Sequence, residues 1–388
     1  MQSPTRRSIL QYLGISGLLA VFPNPARSQL RGSRTMFLYT GTYTNGKSEG
    51  IYVFRFDAES GVIERVGVAS GISNPSFLAL DSRGQYLYAV NEVSEYRGKQ
   101  TGYVTSFKVD STNGLLTKLN EQESKGTSPC HISVDPANKF VLIANYSSGS
   151  IAVLPIRPDG SLGEAVETIQ HKGSSANKQR QEGPHAHSVT LNSNGRFAFA
   201  ADLGIDRVMI YRLDGANGKL TTNDPAYAQM RPGAGPRHFA IHPKKNFAYV
   251  INELDSTLTA FILDDTKGAL REIETKSTLP GDFRGENSCA DVHVHPSGHF
   301  VYGSNRGHDT IAIFRIDESS GKIERVGHES TRGRTPRNFL IDPAGNFLLA
   351  ANQATDSIAV FQIDQKRGML RFTDRLIDVP APVCLKLI

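Results

Sequence analysis

Short runs of alternating apolar and polar residues, separated by clusters of Gly, Pro, Asn and Asp, recur along most of the chain. The stretch 336–372 shows the pattern clearly. NFLID alternates, PAG forms a turn, NFLLAAN and SIAVFQID are two further runs, and QKRG leads into MLRF. Such runs are typical of short β-strands, and the breaks are typical of tight turns. The pattern therefore predicts four antiparallel strands in this stretch.

The same unit returns along the chain, and each copy is marked by one position, the proline slot, which opens its first strand. The slot recurs roughly every 50 residues, at Pro75, Pro129, Ala186, Pro236, Cys289 and Pro336. A period of this length indicates a repeat architecture. Four antiparallel strands per repeat predict one blade of a β-propeller.

The two ends of the chain supply the parts of one further blade. Residues 36–66 match the second, third and fourth strands of the unit, and residues 381–388 match the first. Pairing them would close the ring and remove a sheet edge that could otherwise aggregate. We therefore predict an all-β, seven-bladed β-propeller over residues 36–388, closed by the C-terminal strand.

The variable positions of the repeat predict a functional site. In an antiparallel blade the start of the first strand and the end of the second lie at the same edge, so every blade contributes two segments to one mouth of the central channel. The residues that form the turns and strand ends of the unit, here called frame residues, repeat because each blade makes the same turns. The residues that face the channel differ from blade to blade. The expected group includes two long insertions, and the members that we predict as site residues are His131, Tyr146, Lys178, His185, His187, Arg237, His238, Glu253, Glu286, Asn287, Asp291, Arg306 and Arg337. Glu92 and Arg180 are expected at the same mouth.

These residue types favour attack on a carbonyl without a covalent intermediate. Arginines present fork-shaped donors that fit a carboxylate, a phosphate or a developing oxyanion. A histidine, or a carboxylate such as Glu253, can accept the proton of water. The sequence contains no recognisable Ser or Cys nucleophile motif and no metal-ligand spacing such as HExxH. It therefore predicts that water, or a carboxylate of the substrate itself, adds to the carbonyl, with no cofactor and no metal.

The N-terminal residues 1–28 have a different character. Arg6 and Arg7 precede the apolar run LGISGLLAVF, and Ala26 and Ser28 form a small-x-small site. This pattern predicts a twin-arginine-like export signal, and therefore a periplasmic or secreted protein. If the leader is not used, the protein would be cytoplasmic.

Charge and composition exclude several partners. The net charge of +5 falls by three when the leader is removed, which weakens any case for nucleic-acid binding. No run after residue 30 approaches the roughly 20 apolar residues of a membrane span. The three cysteines, Cys130, Cys289 and Cys384, are too scattered for a disulfide framework or a zinc site, and we interpret them as buried strand residues. The sequence makes no prediction of oligomeric state.

Several motifs resemble those of one enzyme family. GPHAHSV, ADLGIDR, GAGPRHFAIHP, INELDSTL, SNRGHDTIAIF and GRTPRNF are similar to segments of the bacterial 6-phosphogluconolactonases with seven-bladed propellers, whose superfamily includes the eukaryotic propeller carboxymuconate-lactonizing enzyme. The resemblance implies a small sugar (aldono)lactone as substrate. It also implies a catalytic set of Arg237, Glu253, Arg306 and either His185 or His187. Because an exported protein rarely meets a phosphorylated cytosolic intermediate, export would favour another sugar lactone.

Two other classes of function stay open at this level. A non-catalytic propeller that binds protein or glycan would present a broad mixed face without a buried basic pocket. A redox or metal-binding propeller would need converging His or Cys ligands.

Overall fold

The computed structural model describes residues 35–388; the predicted leader, residues 1–28, lies outside them. Residues 35–388 form seven four-stranded antiparallel sheets. Two single-turn 3-10 helices, Leu203–Ile205 and Gln353–Thr355, follow second strands. In the described part of the chain no helix is long and apolar enough to cross a membrane.

Strands are numbered β1 to β28 along the chain, and each sheet contains one strand of each of four kinds. The inner strands are β4 (Pro75–Leu80), β8 (Pro129–Val134), β12 (Ala186–Leu191), β16 (Pro236–Ile241), β20 (Ser288–Val294), β24 (Pro336–Ile341) and β28 (Pro382–Leu387). The second strands are β1 (Thr35–Thr42), β5 (Tyr86–Asn91), β9 (Phe140–Asn145), β13 (Phe197–Asp202), β17 (Phe247–Asn252), β21 (Phe300–Arg306) and β25 (Phe347–Asn352). The third strands are β2 (Gly50–Asp57), β6 (Tyr103–Val109), β10 (Ser150–Pro155), β14 (Arg207–Leu213), β18 (Thr257–Asp264), β22 (Thr310–Ile316) and β26 (Ser357–Ile363). The outer strands are β3 (Ile63–Ser70), β7 (Leu116–Glu123), β11 (Glu167–Gln170), β15 (Leu220–Gln229), β19 (Ala269–Ser277), β23 (Ile323–Ser330) and β27 (Leu370–Asp378).

The predicted seven-bladed propeller and its closure are confirmed. Blades 1 to 6 are β4–β7, β8–β11, β12–β15, β16–β19, β20–β23 and β24–β27, and the closing blade has the order β28-β1-β2-β3. Each inner strand contacts the inner strands of both neighbouring blades, and β28 contacts both β24 and β4. The inner strands therefore enclose a central channel.

The core lies between the faces of adjacent blades. Phe56 of the closing blade meets Phe347 of blade 6 edge to face, with ring centroids 6.0 Å apart, and both side chains are buried. Cys130, Cys289 and Cys384 are buried in inner strands with free thiols, as predicted.

Frame residues of the repeat make these blade contacts possible. Gly268, in the turn between β18 and β19, has φ +67°, and a Cβ there would lie 2.3 Å from the ring of Phe197 in the preceding blade. Glycine is required because it alone combines the left-handed backbone with the space for that ring. Gly321 lies against the ring of Phe247 in the same way, one blade further on. The repeated glycine therefore sets the packing of one blade on the next.

Candidate active site

A β-bulge near the start of each inner strand selects the side chains that face the channel. In blade 4, Pro236 pairs with Asn252 and His238 pairs with Ile251, so Arg237 is the extra residue. Bulges re-aim side chains, and Arg237 and His238 both line one small cavity in the channel. The same register shift occurs in all seven blades.

The shared register places three tiers of side chains around the channel, with one residue from each blade in each tier. The mouth tier follows the cross-strand partner of each proline slot and consists of Tyr43, Glu92, Tyr146, Leu203, Glu253, Arg306 and Gln353. The bulge tier consists of Ser76, Cys130, His187, Arg237, Ala290, Arg337 and Val383. The inner tier, one residue further along, consists of Phe77, His131, Ser188, His238, Asp291, Asn338 and Cys384.

A cavity of about 280 Å³ lies among the mouth and bulge tiers. Its lining consists of Glu92, Cys130, Tyr146, Arg180, His187, Glu253, Ser288, Arg306 and Arg337. A second, much smaller cavity shares Glu92, Cys130 and Arg337 with the first and adds Arg237 and His238. The main cavity is at the small end of the range for ligand pockets. Its lining is almost entirely polar or charged, which suits a small polar molecule.

Glu253 is held by three guanidinium groups that come from different parts of the chain. Its Oε1 accepts a hydrogen bond from Arg180 Nη2 at 2.7 Å, and its Oε2 accepts one from Arg237 Nε at 2.9 Å. Arg306 Nη2 is also 2.9 Å from Oε2. Burial alone would raise the pKa of Glu253, but Arg306, Arg237 and Arg180 outweigh burial and hold it at about 2. A carboxylate this acidic, with both oxygens engaged, is a weak base.

Arg237 connects Glu253 to the inner tier. Its guanidinium is 2% exposed; Nη1 donates to the carbonyl oxygen of Ala290 and lies 3.3 Å from His238 Nε2. Burial, with the neighbouring charges of Arg306 and Arg337, lowers the pKa of Arg237 to about 10. Arg237 is therefore cationic at neutral pH and fixed at both ends.

Asp291 anchors the inner tier. Its Oδ1 lies 2.7 Å from His238 Nδ1, and its Oδ2 lies 3.0 Å from His293 Nε2 and accepts a hydrogen bond from the side-chain amide of Asn338. With Nδ1–H directed at Asp291, His238 Nε2 is free to accept from Arg237. Burial and Arg237 lower the pKa of His238 to about 4 despite Asp291, so its ring is neutral at pH 7.

Replacing Asp291 with asparagine is expected to destabilise the protein by about 1–3 kcal/mol. The amide would keep one acceptor oxygen but would turn an NH₂ group toward buried donors such as His238. The change is measured as a shift in the midpoint of chemical denaturation, with Asp282→Asn in an exposed loop as the control. Equal midpoints for the two variants would contradict the anchoring role of Asp291.

The structure separates the two histidines of PHAH. Ala186 pairs with Asp202 and occupies the proline slot, so His187 is the counterpart of Arg237. His187 lines the main cavity. Its Nδ1 is 3.7 Å from Cys130 Sγ, and its Nε2 has no hydrogen-bond partner among residues 35–388. Burial, with Arg237 and His238, lowers the pKa of His187 well below 6.5, so the ring is neutral.

His185 lies outside the cavity lining, and both of its ring nitrogens are engaged. Nδ1 is 3.1 Å from the carbonyl oxygen of Tyr146, and Nε2 is 3.0 Å from Glu182 Oε1. The ring stacks on Tyr146 with centroids 4.7 Å apart. His185 therefore supports Tyr146, whose hydroxyl accepts a hydrogen bond from Arg180 Nη2 at 3.1 Å.

The structure brings together some of the remaining predicted residues and not others. Arg337 lines the main cavity. His131 lies in the inner tier against Phe77, with ring centroids 4.3 Å apart, and His238 lines only the smaller cavity. Asp291 is 3% exposed, and its oxygens are engaged by internal donors, so the structure places it in an internal anchoring position, and its contact with substrate stays a prediction.

The two insertions contribute differently from what the sequence predicts. Lys178 and Glu286 are exposed and lie outside the cavity lining. Asn287 donates to Ser256 Oγ at 2.9 Å and accepts from the backbone N–H of His308, so it ties the end of its insertion to the turns after β17 and β21. None of the three lines the main cavity in this structure, and their contact with substrate stays a prediction.

Two charged lining residues, Arg180 and Glu92, are expected at the mouth but are not among the predicted site residues. Glu92 occupies the mouth-tier position of Glu253, and the parallel between VNEV and INEL could have identified it. Arg180 has no such signal, since it lies in an insertion with other cations. Cys130 also lines the cavity, but burial raises the pKa of its thiol, which therefore stays protonated and is not a nucleophile. Among residues 35–388 no group of three or more His, Cys, Asp or Glu could hold a metal ion.

The ring of seven blades is a fold shared with known proteins. The family model described as "Lactonase, 7-bladed beta-propeller" matches residues 37–387. The chain belongs to this lactonase family, as its motifs predict. It is 39% identical over 348 residues to the 6-phosphogluconolactonase of Bacillus subtilis. That alignment covers 90% of this chain and 97% of the relative.

Other relatives agree with this membership. A protein from Formosa agariphila, also named 6-phosphogluconolactonase, is 34% identical over 79% of this chain and 86% of its own. Among solved structures, the periplasmic gluconolactonase PpgL of Pseudomonas aeruginosa aligns with a TM-score of 0.86 and 34% identity. That alignment covers 91% of this chain and 99% of PpgL. The names of these relatives support a lactonase function.

Proposed function

We propose that the protein is a lactonase that opens a sugar (aldono)lactone with water, using His187 as the general base. The observation that carries the proposal is the main cavity, which contains a neutral imidazole with an open Nε2 and the guanidinium groups of Arg306 and Arg337. A binding module with a broad mixed face would not require such an enclosed, charged cavity. The lactonase names of the relatives support the same reaction.

In the proposed reaction, His187 Nε2 removes a proton from water as the water oxygen forms a bond to the lactone carbonyl carbon. The carbonyl π electrons move to oxygen, and the resulting oxyanion is stabilised by guanidinium donors. When the carbonyl re-forms, the ring C–O bond breaks and the ring oxygen receives the proton from the imidazolium. The product is the open hydroxy acid, and His187 returns to its neutral form.

Arg306 is the proposed donor to the oxyanion. Its Nη2 is engaged by Glu253 and by the carbonyl oxygen of Cys289 at 2.8 Å, which fixes the guanidinium plane. Its remaining Nη1 donors have no partner among residues 35–388, and the side chain lines the cavity. Arg237, in the bulge tier, donates to Glu253 and adds positive potential, so it is a positioning residue in this scheme.

Glu253 is proposed to remain ionised throughout the reaction. Its role is to gather the three arginines at fixed positions, and its pKa of about 2 makes it a poor acceptor for the proton of water. Of the two bases that the sequence leaves open, the geometry favours His187.

The periplasm is the proposed location. The predicted twin-arginine-like leader supports it, and the relative PpgL is described as periplasmic. A periplasmic enzyme would act on sugar lactones that form outside the cytosol.

The test is a panel of lactones offered to the protein purified without residues 1–28. Glucono-1,5-lactone, 6-phosphogluconolactone and an aliphatic lactone are incubated with the parent and with His187→Gln, with correction for spontaneous hydrolysis. We expect the parent to open at least one sugar lactone at least 100-fold faster than His187→Gln. Equal rates for the two proteins on every lactone would contradict the proposed function.

A further inference from the structure

The two carboxylates that line the main cavity have opposite surroundings. Glu253 is saturated by three arginines. Glu92, in the same tier of another blade, forms one side-chain hydrogen bond: its Oε2 accepts from the hydroxyl of Tyr43 at 2.9 Å. Oε1 of Glu92 has no hydrogen-bond or ion-pair partner within residues 35–388, although the side chain lines both cavities. The half of the cavity around Glu92 therefore offers an open acceptor.

Arg337 supplies open donors on the same side. Its guanidinium lies over the ring of Tyr43, with Cζ 5.5 Å from the ring centroid. It makes no hydrogen bond or ion pair with another side chain in the described part of the chain, and it also lines both cavities. Burial would lower the pKa of Arg337, but the nearby Tyr43 and Glu92 outweigh burial and raise it, so the guanidinium is charged.

Tyr43 holds these two groups in a fixed arrangement. It follows β1 of the closing blade, Glu92 follows β5 of blade 1, and Arg337 is in the bulge of β24 in blade 6. The hydroxyl of Tyr43 donates to the carboxylate of Glu92, and the ring of Tyr43 packs against the guanidinium of Arg337. A rigid aromatic side chain loses little conformational entropy when a ligand binds, so the pair is prepared before the ligand arrives.

An acceptor beside a donor fork fits neighbouring hydroxyl groups of a neutral ring. A hydroxyl can donate to Glu92 Oε1, and the next hydroxyl along the ring can accept from Arg337. We propose that Glu92 and Arg337, positioned by Tyr43, form a hydroxyl-binding subsite that selects uncharged, polyhydroxylated lactones. The proposal rests on the proposed lactonase function and specifies its substrate class.

A phosphate group fits this subsite poorly. If it bound to Arg337, its oxygens would lie beside the open oxygen of Glu92, with two anions in contact and no proton between them. Of the other arginines that line the main cavity, Arg180 and Arg306 each share their charge with Glu253. The open donors of Arg306 are used at the lactone carbonyl in the proposed reaction, so neither arginine replaces Arg337 as a partner for phosphate at this subsite. The carboxylate of Glu92 therefore weakens the binding of phosphorylated lactones and strengthens the binding of hydroxylated ones.

The test compares two lactones with the same six-membered ring. Glucono-1,5-lactone carries the ring hydroxyls, and δ-valerolactone lacks them. We expect Glu92→Ala to lower the ratio of their kcat/KM values by about 10- to 100-fold, the effect of losing a hydrogen bond to a charged group. Tyr43→Phe should lower the ratio in the same direction by a smaller factor. Gln353→Ala, at the same mouth-tier position but outside the cavity lining, is the matched control and should leave the ratio unchanged.

Two results would overturn the subsite. One is an unchanged ratio for Glu92→Ala, and the other is an equal loss on both lactones, which would place Glu92 in ring opening or in folding. If the parent opens neither of these lactones but opens 6-phosphogluconolactone, the proposed function stands and the subsite is wrong. If the parent opens no lactone of the panel, the proposed function fails separately. The subsite is then decided by calorimetry with 1,5-anhydro-D-glucitol, which has the ring hydroxyls without a carbonyl. Binding to the parent that weakens about tenfold in Glu92→Ala supports it; no binding, or equal binding, contradicts it.

Discussion

Replacing His187 with glutamine is expected to lower kcat for lactone opening by about 100- to 10,000-fold, the usual contribution of a general base. Glutamine is close to histidine in size and polarity but cannot take a proton from water at neutral pH. KM should change much less than kcat, because the arginines that hold the substrate are untouched. The measurement is steady-state hydrolysis of the best lactone of the panel, corrected for the spontaneous reaction.

The neighbouring histidine provides a matched comparison. His185 is two residues away, but both of its ring nitrogens are engaged outside the cavity. His185→Gln should therefore reduce kcat less than tenfold, by loosening Tyr146. If His185→Gln lost as much activity as His187→Gln, or if His187→Gln retained the parent kcat, the assignment of the base would be wrong.

The pH profile gives a second reading of the same assignment. A general base works when deprotonated, and the pKa of His187 is lowered well below 6.5 by burial, Arg237 and His238. Activity should therefore be constant as pH falls through 6.5, and should decline only at more acidic pH. A decline centred near pH 6.5 would indicate a base that is exposed to solvent.

The fold could be predicted because every blade makes the same contacts with its neighbour and therefore repeats the same sequence pattern. Gly268 and Gly321 recur because each turn must lie against an aromatic ring of the preceding blade. The last residues of the chain could be assigned to the closing blade because their pattern matches an inner strand and the N-terminal unit lacks one. Because the unit repeats, each weak strand or turn pattern is supported by the same pattern in the other six blades.

The site was only partly predictable, because two of its determinants break the periodicity. Simple alternation would place Arg237 and His238 on opposite faces of β16, whereas the bulge turns both toward the channel. Which insertion residue reaches Glu253 depends on a local turn, in which the backbone of Gln181 bonds to that of Asn177. That turn leaves Lys178 exposed, while Arg180 reaches the carboxylate.

Two of the predicted substrate contacts lie outside the main cavity for a shared physical reason. Asp291 and Asn287 are polar residues at the channel edge, where sequence alone does not separate groups that face a cavity from groups that satisfy buried neighbours. Their hydrogen-bond partners show the difference: Asp291 binds two histidines, and Asn287 binds Ser256 in the turn after β17.

Replacing Glu253 with glutamine is expected to destabilise the protein by about 3–5 kcal/mol, because the change leaves buried cations without their counter-charge. Arg237 is 2% exposed and cannot turn to solvent, and the Arg306 side chain is only 14% exposed. Arg180→Ala is the comparison: its side chain is 42% exposed, so its loss should cost about 1 kcal/mol or less. The midpoints of chemical denaturation at pH 7 give both values, and a midpoint for Glu253→Gln equal to that of the parent would contradict the prediction.

The acid dependence of stability should identify the same carboxylate. The pKa of Glu253 is lowered on folding from its ordinary 4.5 to about 2, so its contribution is fully present above pH 4.5 and is lost as pH falls toward 2. Glu253→Gln has no proton to gain there, and its stability should decrease less than that of the parent between pH 4.5 and 2. The two denaturation midpoints should therefore converge in acid, since protonation removes from the parent the same charge that the substitution removes at every pH. Curves that stay parallel throughout this window would show that the negative charge of Glu253 does not hold the arginines in place.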